Sequence, residues 1–503
     1  METKFFHNKP TLKKLTGLKS GIDFDPAIIS MTIRKDIAQP AGIFKVELDP
    51  YGFPSPDSTI SMLGKSNVIG YSTVPNDMFQ IGFTSKCVML GLVDHSYTVE
   101  TYDKNSVSKT RVISGRDFGK AFITDNADTI WADIPDLEEA LPADHALFSK
   151  YRRIASNALF AVTIEMPDGQ KRTVGLNENP VDTIEWLVYN LPSMSMLDAE
   201  EGVMRDRWFT FGTHGDDGPN VYEGDRINQP MIGGYTGNIW SALTSCLDDF
   251  YEIWVDTAFA DDLGRPLAVL RVRPKPFDRV GDKVGDKTVE GRFTWEKFTN
   301  FIKEVGSYNG NTYGYHRIDD FKLIEKGRND YEVYSAFDVS ASNSLSERLI
   351  GGASGNAAKA FISVDSYLLL KYGYRKLTIN SQLAMDVGLE GSDNVINHSR
   401  IKVDRAYNWY RHNAIMESGS LTLPCNDHIR VGDKIWIPDL YTETGFKGMV
   451  FYVKTVDIEY HREETPVPRM TLGIARGFNQ QECDEFDQNL NKCDGNVFLE
   501  KKD

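Results

Sequence analysis

The sequence predicts a mainly β protein with an α+β middle region: two small β-barrel domains plus inserted mixed segments. Three observations carry this. Residues 28–125 hold several short alternating apolar runs separated by turn signals. Residues 346–476 return to the same grammar after a mixed stretch. Between them, residues 126–345 combine helical spacing with isolated strands. At 503 residues the chain exceeds one hydrophobic core, so two to four domains are expected.

Residues 1–27 are polar and Lys-rich and are expected as an amino-terminal arm. The first barrel is expected over 28–125. "IISMTIRKDI" alternates, with Ile29, Met31 and Ile33 on one face, and "IFKVELDP" does so with Ile43 and Phe44 before Val46 and Leu48. "PYGFPSPD" is a turn cluster. "DMFQIGF", "CVMLGLVDHSYTVETYD" and "KTRVISGRDFGKAF" complete the set.

Residues 126–235 read as a helical and loop insertion. "IPDLEEALPADHALFSKYRRIASNALFAV" has helical spacing broken at Pro142, and Pro180 opens a turn that places Ile184, Leu187 and Val188 on one face. Residues 236–345 read as an α+β domain. Ile239, Leu243, Leu247 and Phe250 follow helical spacing and lead into a strand from Tyr251 to Asp256. "RPLAVLRVRPKPFD" is a strand, "FTWEKFTNFIKEVG" a short helix, and "NDYEVYSAFDVS" a strand. The second barrel is expected over 346–476. "SYLLLKYGYRKLTI" leads in, "KVDRAYNWYRHNAI" is helical, and "SGSLTLP", "DKIWIPD", "GMVFYVKTVDIEYH" and "RMTLGIARG" are strands. Residues 477–503 are expected as a loose acidic carboxy-terminal tail.

The two β regions echo each other. In the first, Asp77 opens a strand and a long strand ends in Val93-Asp94-x-x-Tyr97. A polar loop follows, then a closing strand from Arg111 to Asp117. In the second, Asp433 opens a strand and a long strand contains Val456-Asp457-x-x-Tyr460. The loop "HREETPVP" follows, then a strand from Arg469 to Arg476. A chain carrying one unit twice can fill two equivalent positions around an axis, so three chains present six units.

Composition narrows the function. With 72 acidic and 56 basic residues the formal charge is −16, which argues against gripping nucleic-acid phosphates. It is compatible with a surface that nucleic acid passes without sticking. Cys87, Cys246, Cys425, Cys483 and Cys493 have no framework spacing and read as free thiols of a reducing compartment, with pairing or metal binding by Cys483 and Cys493 of the acidic tail as the alternative. The start "METKFFHNKPTLKKL" has no secretory pattern, and no apolar run is long enough for a spanning helix. Synthesis and folding in a cytosol are expected.

No catalytic, cofactor-binding or metal-binding residues are assigned. Asp248, Asp249, Glu252 and Asp256 in "LDDFYEIWVD" supply carboxylates of the kind a glycan-cleaving pair needs. Asp248 and Glu252 read instead as i, i+4 neighbours along the solvated edge of a helix. "GDKVGDKT" (281–288) fails the phosphate-loop spacing and reads as a charged hairpin. "GGASGN" (351–356) puts Ser354 in a near miss for a nucleophile elbow and reads as a linker. Asp487, Asn489 and Asn491 begin like a calcium loop, but Lys492 stands where Gly is needed and Phe498 where Glu is needed. His95 and His412 read as ordinary barrel and helix-edge residues, and Trp240, Trp254 and Trp436 as core or interface anchors.

The strand grammar, with "GNIWSALTSCLDDFYEIWVD", "LAVLRVRPKPFD", "DSYLLLKYGYRKL", "IRVGDKIWIPD" and "FYVKTVDIEY…RMTLGIARG", resembles the baseplate hub proteins of phage tails and related contractile injection systems over residues 28–476. The resemblance implies tail-tube-like barrels and a homotrimer of pseudo-sixfold symmetry. It implies a structural, non-enzymatic role at the virion baseplate, joining the hexameric tail tube to a central spike and lining a channel for DNA or cargo. Its implied partners are the tail tube protein, the spike and other baseplate proteins, with no cofactor. The 126–235 stretch is longer than a minimal hub and is expected as added surface for baseplate neighbours. Two other readings stand beside this one: a tail-associated wall-glycan hydrolase, and a carbohydrate-binding module with exposed Trp.

Overall fold

The structure is a computed structural model. It describes residues 9–15, 21–49, 73–83, 86–103, 106–124, 162–165, 171–174, 180–181, 184, 209–213, 238–245, 247–259, 266–275, 283–284, 287–288, 315–341, 363–381, 392–437, 448–478, 485–488 and 496–498. The expected helix over "FTWEKFTNFIKEVG", the "PYGFPSPD" turn and the Ser354 linker lie outside these residues, as does the helical stretch "IPDLEEALPADHALFSKYRRIASNALFAV" except for its last residue, Val162, which is in a strand.

The first unit runs through β1 (Pro10–Leu15), β2 (Gly21–Asp23), β3 (Ile28–Asp36), β4 (Ile43–Leu48), β5 (Met78–Phe83), β6 (Lys86–Asp103) and β7 (Ser106–Asp117), and α1 (Gly119–Thr124) follows. Alternation builds it, although a bulge between Ile28 and Ser30 puts Ile28 in the core in place of the expected Ile29, which is half-buried. On β3, Met31, Ile33 and Lys35 turn inward while Thr32 and Arg34 face out. On β4, Phe44, Val46 and Leu48 are buried and Ile43 is exposed. Strands β1 and β2 fall within 1–27, the segment expected as an arm, and add to the edge of this sheet beside β5.

The middle of the chain holds β8 (Val162–Glu165) paired with β9 (Lys171–Val174), then β10 (Phe209–Thr213), α2 (Ile239–Ser245), β11 (Tyr251–Phe259) and β12 (Pro266–Pro274). Strands β10, β12 and β11 form a three-stranded sheet. Asn238 caps α2, its Oδ1 accepting from the Ser241 N–H at 2.9 Å. The charged stretch at 281–288 is a hairpin of β13 (Lys283–Val284) and β14 (Lys287–Thr288).

Next come β15 (Tyr315–Arg317) and β16 (Leu323–Gly327), then β17 (Ala336–Ala341), β18 (Ser363–Asp365), α3 (Ser366–Tyr372), β19 (Lys376–Ser381) and α4 (Ser392–Tyr410). Asp365 caps α3 through the Leu368 N–H at 2.8 Å, and Gly373 ends it with φ 78°. The second β unit, to which β15 and β16 also belong, continues with β20 (Glu417–Pro424), β21 (Lys434–Ile437), β22 (Met449–His461) and β23 (Thr465–Phe478). Last is β24 (Asn496–Phe498), which pairs with β18. Part of the tail expected to be loose is therefore docked. Phe486 is buried beside Val333 and Leu368, and Asp487 Oδ1 lies 2.6 Å from His412 Nε2.

The fold is mainly β with large antiparallel sheets, as the alternation predicts. Among the described residues the largest sheet has thirteen strands in the order β16-β20-β23-β22-β3-β4-β7-β6-β5-β1-β2, with β21 and β15 branching from β22. The two β units are joined edge to edge inside this sheet, because β22 pairs with β3. One core serves both units, drawing Ile33, Phe44, Ile81 and Ile113 from the first and Leu421, Phe451, Ile458 and Leu472 from the second. Trp254 of the middle sheet is buried in the same core. A second core packs α1, α2 and α4 around the middle sheet and includes Val181 and Ile184. Among the described residues no helix is long and apolar enough to cross a membrane.

Candidate assembly interface

The echo between the β units is structural. Asp77 Oδ2 accepts from the Val74 N–H at 2.7 Å, and Asp433 Oδ2 accepts from the Arg430 N–H at 2.8 Å. The residues before them, Asn76 and Gly432, both have positive φ, 68° and 84°. Asn76 N–H and Gly432 N–H donate to the carbonyls of Val93 and Val453, whose own N–H groups return to the carbonyls of Asp77 and Asp433. A cation-capable side chain from the next strand reaches each aspartate: Lys14 Nζ at 2.7 Å and His316 Nε2 at 2.9 Å.

The equivalence extends through each unit. The order β3-β4-β7-β6-β5-β1 matches β16-β20-β23-β22-β21-β15. Only the last pairing differs, since β1 runs antiparallel to β5 whereas β15 runs parallel to β21. Each long hairpin carries a bulge at one shared place, between Val93 and His95 and between Val453 and Thr455. Val93 therefore corresponds to Val453. The Val-Asp-x-x-Tyr match in the sequence set it against Val456, three residues off.

The joint between the units uses only the outer half of β22. Met449–Tyr452 pair with β21, and Thr455–His461 pair with Asp36–Ser30 of β3. On the core side Ile458 faces Ile33, both buried. Burying such a side chain contributes about 1.5–3 kcal/mol. On the other side Asp457 faces Arg34 at 3.4 Å. Burial raises the Asp457 carboxyl above its ordinary value, with Arg34 pulling against it.

Buried charges clamp the joint from beneath. Arg430 reaches from the second unit to the carbonyls of Val88 at 3.2 Å and Cys87 at 3.1 Å in the first. Lys35 Nζ lies 3.7 Å from Asp117, which also accepts from Gly42 N–H and Gly119 N–H. Burial raises the Asp117 carboxyl, opposed by Lys35 and those N–H groups. Asp256 is pushed up by burial, but Arg271, Arg430 and Lys35 outweigh this and hold it below the ordinary value. Burial lifts the Cys87 thiol to about 11.

Of the carboxylates named for glycan cleavage, Asp248, Glu252 and Asp256 are held in ion pairs within the fold, and Asp249 is exposed. The expectation of a solvated helix edge fails, because α2 ends at Ser245 and β11 begins at Tyr251. Asp248 is buried and pairs with buried Lys402 at 3.0 Å. Glu252 on β11 accepts from Arg273 Nε at 3.0 Å and from Tyr452 Oη at 2.7 Å, and Arg273 Nη2 donates to Gly432 O at 3.0 Å. Asp256 lies 3.5 Å from Arg271. The Asp248 pair ties this region to α4, the Glu252 and Arg273 contacts tie the middle sheet to the second unit, and Asp256–Arg271 joins β11 to β12. His412 is fully buried rather than a helix-edge residue, and His95 is exposed on β6. Trp254 is buried, Trp240 packs against the second core, and Trp436 lies under the Arg317 guanidinium at 5.0 Å. Among the described residues, no group of three or more His, Cys, Asp or Glu is placed to hold a metal ion.

No protein-family model matches the sequence, and no curated protein matches it. Solved structures do align with it. A tail protein from Neisseria meningitidis aligns at TM-score 0.45 and 10% identity, covering 93% of this chain and 96% of that one. A prophage tail protein from Shewanella oneidensis aligns at TM-score 0.40 and 12% identity, covering 93% and 97%. An E. coli type VI secretion component, described as structurally similar to bacteriophage T4 tail proteins, aligns at TM-score 0.36 and 10% identity, covering 93% and 77%.

Proposed function

We propose that the chain is the structural hub of a phage tail or related contractile injection machine. It works as a homotrimer of pseudo-sixfold symmetry, joins the hexameric tail tube to a central trimeric spike, and lines the channel. One observation supports this reading above others: the chain holds the same strand unit twice, joined edge to edge in one sheet. A protein that carries two equivalent units per chain converts threefold into sixfold geometry, as a part between a spike and a tube needs to do. The sequence resemblance to baseplate hubs points the same way.

The sheet face away from the core supplies the channel surface. Thr32, Arg34, Lys45 and Glu459 are exposed there, with Asp457 and Glu47 half-buried beside them. Hydroxyls and opposed charges keep this face wetted and leave no continuous basic track for phosphates to grip. The role is mechanical and requires no turnover. Synthesis in the host cytoplasm precedes assembly into the baseplate, where the tube, the spike and other baseplate proteins are its partners. Immunogold labelling of particles against this chain is the test. Label at the tube–spike junction is expected, and label on side fibres or on free soluble protein alone would contradict the reading.

A further inference from the structure

The cis joint between β22 and β3 uses two edges, and the equivalence of the units gives each edge a counterpart elsewhere. The outer half of β22 corresponds to the outer half of β6, and β3 corresponds to β16. Among the described residues, the 95–103 part of β6 pairs with β7 only, and β16 pairs with β20 only. We infer that the β6 edge of one copy pairs antiparallel with the β16 edge of the next, in the register of the β22–β3 joint. This rests on the trimeric-hub reading and names the surface that closes its ring.

The register follows residue by residue. Val93 corresponds to Val453, so Tyr97, Thr98, Val99 and Glu100 take the places of Asp457, Ile458, Glu459 and Tyr460. Gly115 corresponds to Ile474, Phe44 to Gly419, and thus Arg34, Ile33, Thr32 and Met31 to Gly327, Lys326, Glu325 and Ile324. Carrying over the cis pairs sets Tyr97 opposite Gly327, Thr98 opposite Lys326, Val99 opposite Glu325 and Glu100 opposite Ile324.

The chemistry of the two edges agrees with that register. Tyr97 is 48% exposed and Leu323 is 50% exposed, and Val99 and Tyr102 are exposed as well. A Cβ on Gly327 would meet nothing within 4 Å, so the strand offers an open slot where the Tyr97 ring falls. An aromatic laid over a glycine on a neighbouring strand is a recognised stabilising pair. The two edges carry opposite charges: Glu100 lies on the β6 edge, where Lys109 of the same unit meets it at 2.7 Å, and Lys326 lies on β16, where Glu417 meets it at 2.7 Å. Glu100 falls diagonal to Lys326 across the joint, within reach of an ion pair. The contact is head-to-tail, so it closes into a ring or runs on as a filament.

Cysteine pairs in the full-length protein test the register. Residues directly opposite on antiparallel strands have Cα atoms about 4.5–5.5 Å apart, within disulfide reach. Tyr97→Cys with Gly327→Cys is expected to give covalent dimers and trimers under mild oxidation, as is Val99→Cys with Glu325→Cys. Tyr97→Cys with Leu323→Cys, four residues out of register, is expected to give none, like each single variant. The mass of the uncrosslinked protein is measured alongside. A three-chain assembly in which neither in-register pair crosslinks overturns the edge pairing and leaves the hub reading standing. A monomer at every concentration overturns both.

Discussion

Asp77 and Asp433 stand 356 positions apart in sequence and hold one turn in two places. Each carboxylate accepts from the N–H three residues before it and is met by a basic side chain from the neighbouring strand, Lys14 or His316. Their surroundings differ, and the difference is measurable. The Arg430 N–H is buried whereas the Val74 N–H is exposed. Asp433→Ala is expected to cost about 2–3 kcal/mol and Asp77→Ala about 1 kcal/mol in urea unfolding, because only a buried donor loses its partner to nothing. Equal losses would mean that the two turns are not set apart by burial.

Gly432 carries the positive φ that Asn76 carries in the first unit. A Cβ there would lie 3.2 Å from Arg273 and 3.3 Å from Trp254. Gly432→Ala is expected to cost about 2 kcal/mol or more, since the left-handed conformation alone costs about 1–2 kcal/mol. Gly432→Asn is expected to cost at least as much, because its easier left-handed φ is offset by a larger side chain against the same two neighbours. Thermal midpoints of the two variants check the order.

How much of this was readable beforehand depends on range. The alternation in β3, β4 and β22 is local and shows in the letters. The duplicated Asp turn shows as well, because a tight turn constrains residue types at fixed spacing. The alignment beyond the turn slipped by three residues because a bulge, not the Val-Asp-x-x-Tyr pattern, sets the register. Strand β16, "LIEKG", is exposed along most of its length and lacks the apolar alternation that marks a strand. Asp248 and Glu252 misled for a different reason. Their i, i+4 spacing fits a helix edge, but Lys402 and Arg273, the partners that define their roles, lie 154 and 21 residues away.

Arg430 ties the units through two carbonyls of the first. Arg430→Ala is expected to cost about 3 kcal/mol, as each hydrogen bond to a charged group contributes about 1.5–3 kcal/mol and the site relaxes in part. It should also expose Cys87, whose thiol is buried and held near 11. Mass-spectrometric mapping after alkylation at neutral pH is expected to show Cys87 protected in the parent and modified in the variant.

Asp94 gives a pH dependence of known sign. Burial raises its carboxyl, but Arg116 at 2.7 Å and Lys120 at 2.9 Å outweigh that and hold it below the ordinary value. A depressed acid contributes stability above the unfolded-state pKa, about 3.9, and loses it as pH falls through the lower folded value. The stability gap between the parent and Asp94→Asn should be full at neutral pH and should close on acidification below about 4. A gap that widens there would reverse the assigned sign.

Asp248 separates a structural carboxylate from a catalytic one. Asp248→Ala leaves Lys402 buried without its partner carboxylate and is expected to cost about 3–5 kcal/mol. The parent is expected to release no sugar from purified wall glycan. Turnover by the parent that Asp248→Ala abolishes at unchanged stability would favour the hydrolase reading instead.

The most direct measurement is electron microscopy of the purified full-length chain viewed along its axis, with particle mass taken on the same sample. Two equivalent units per chain predict rings of six similar lobes at the mass of three chains. Isolated two-lobed particles at the mass of one chain would contradict the account.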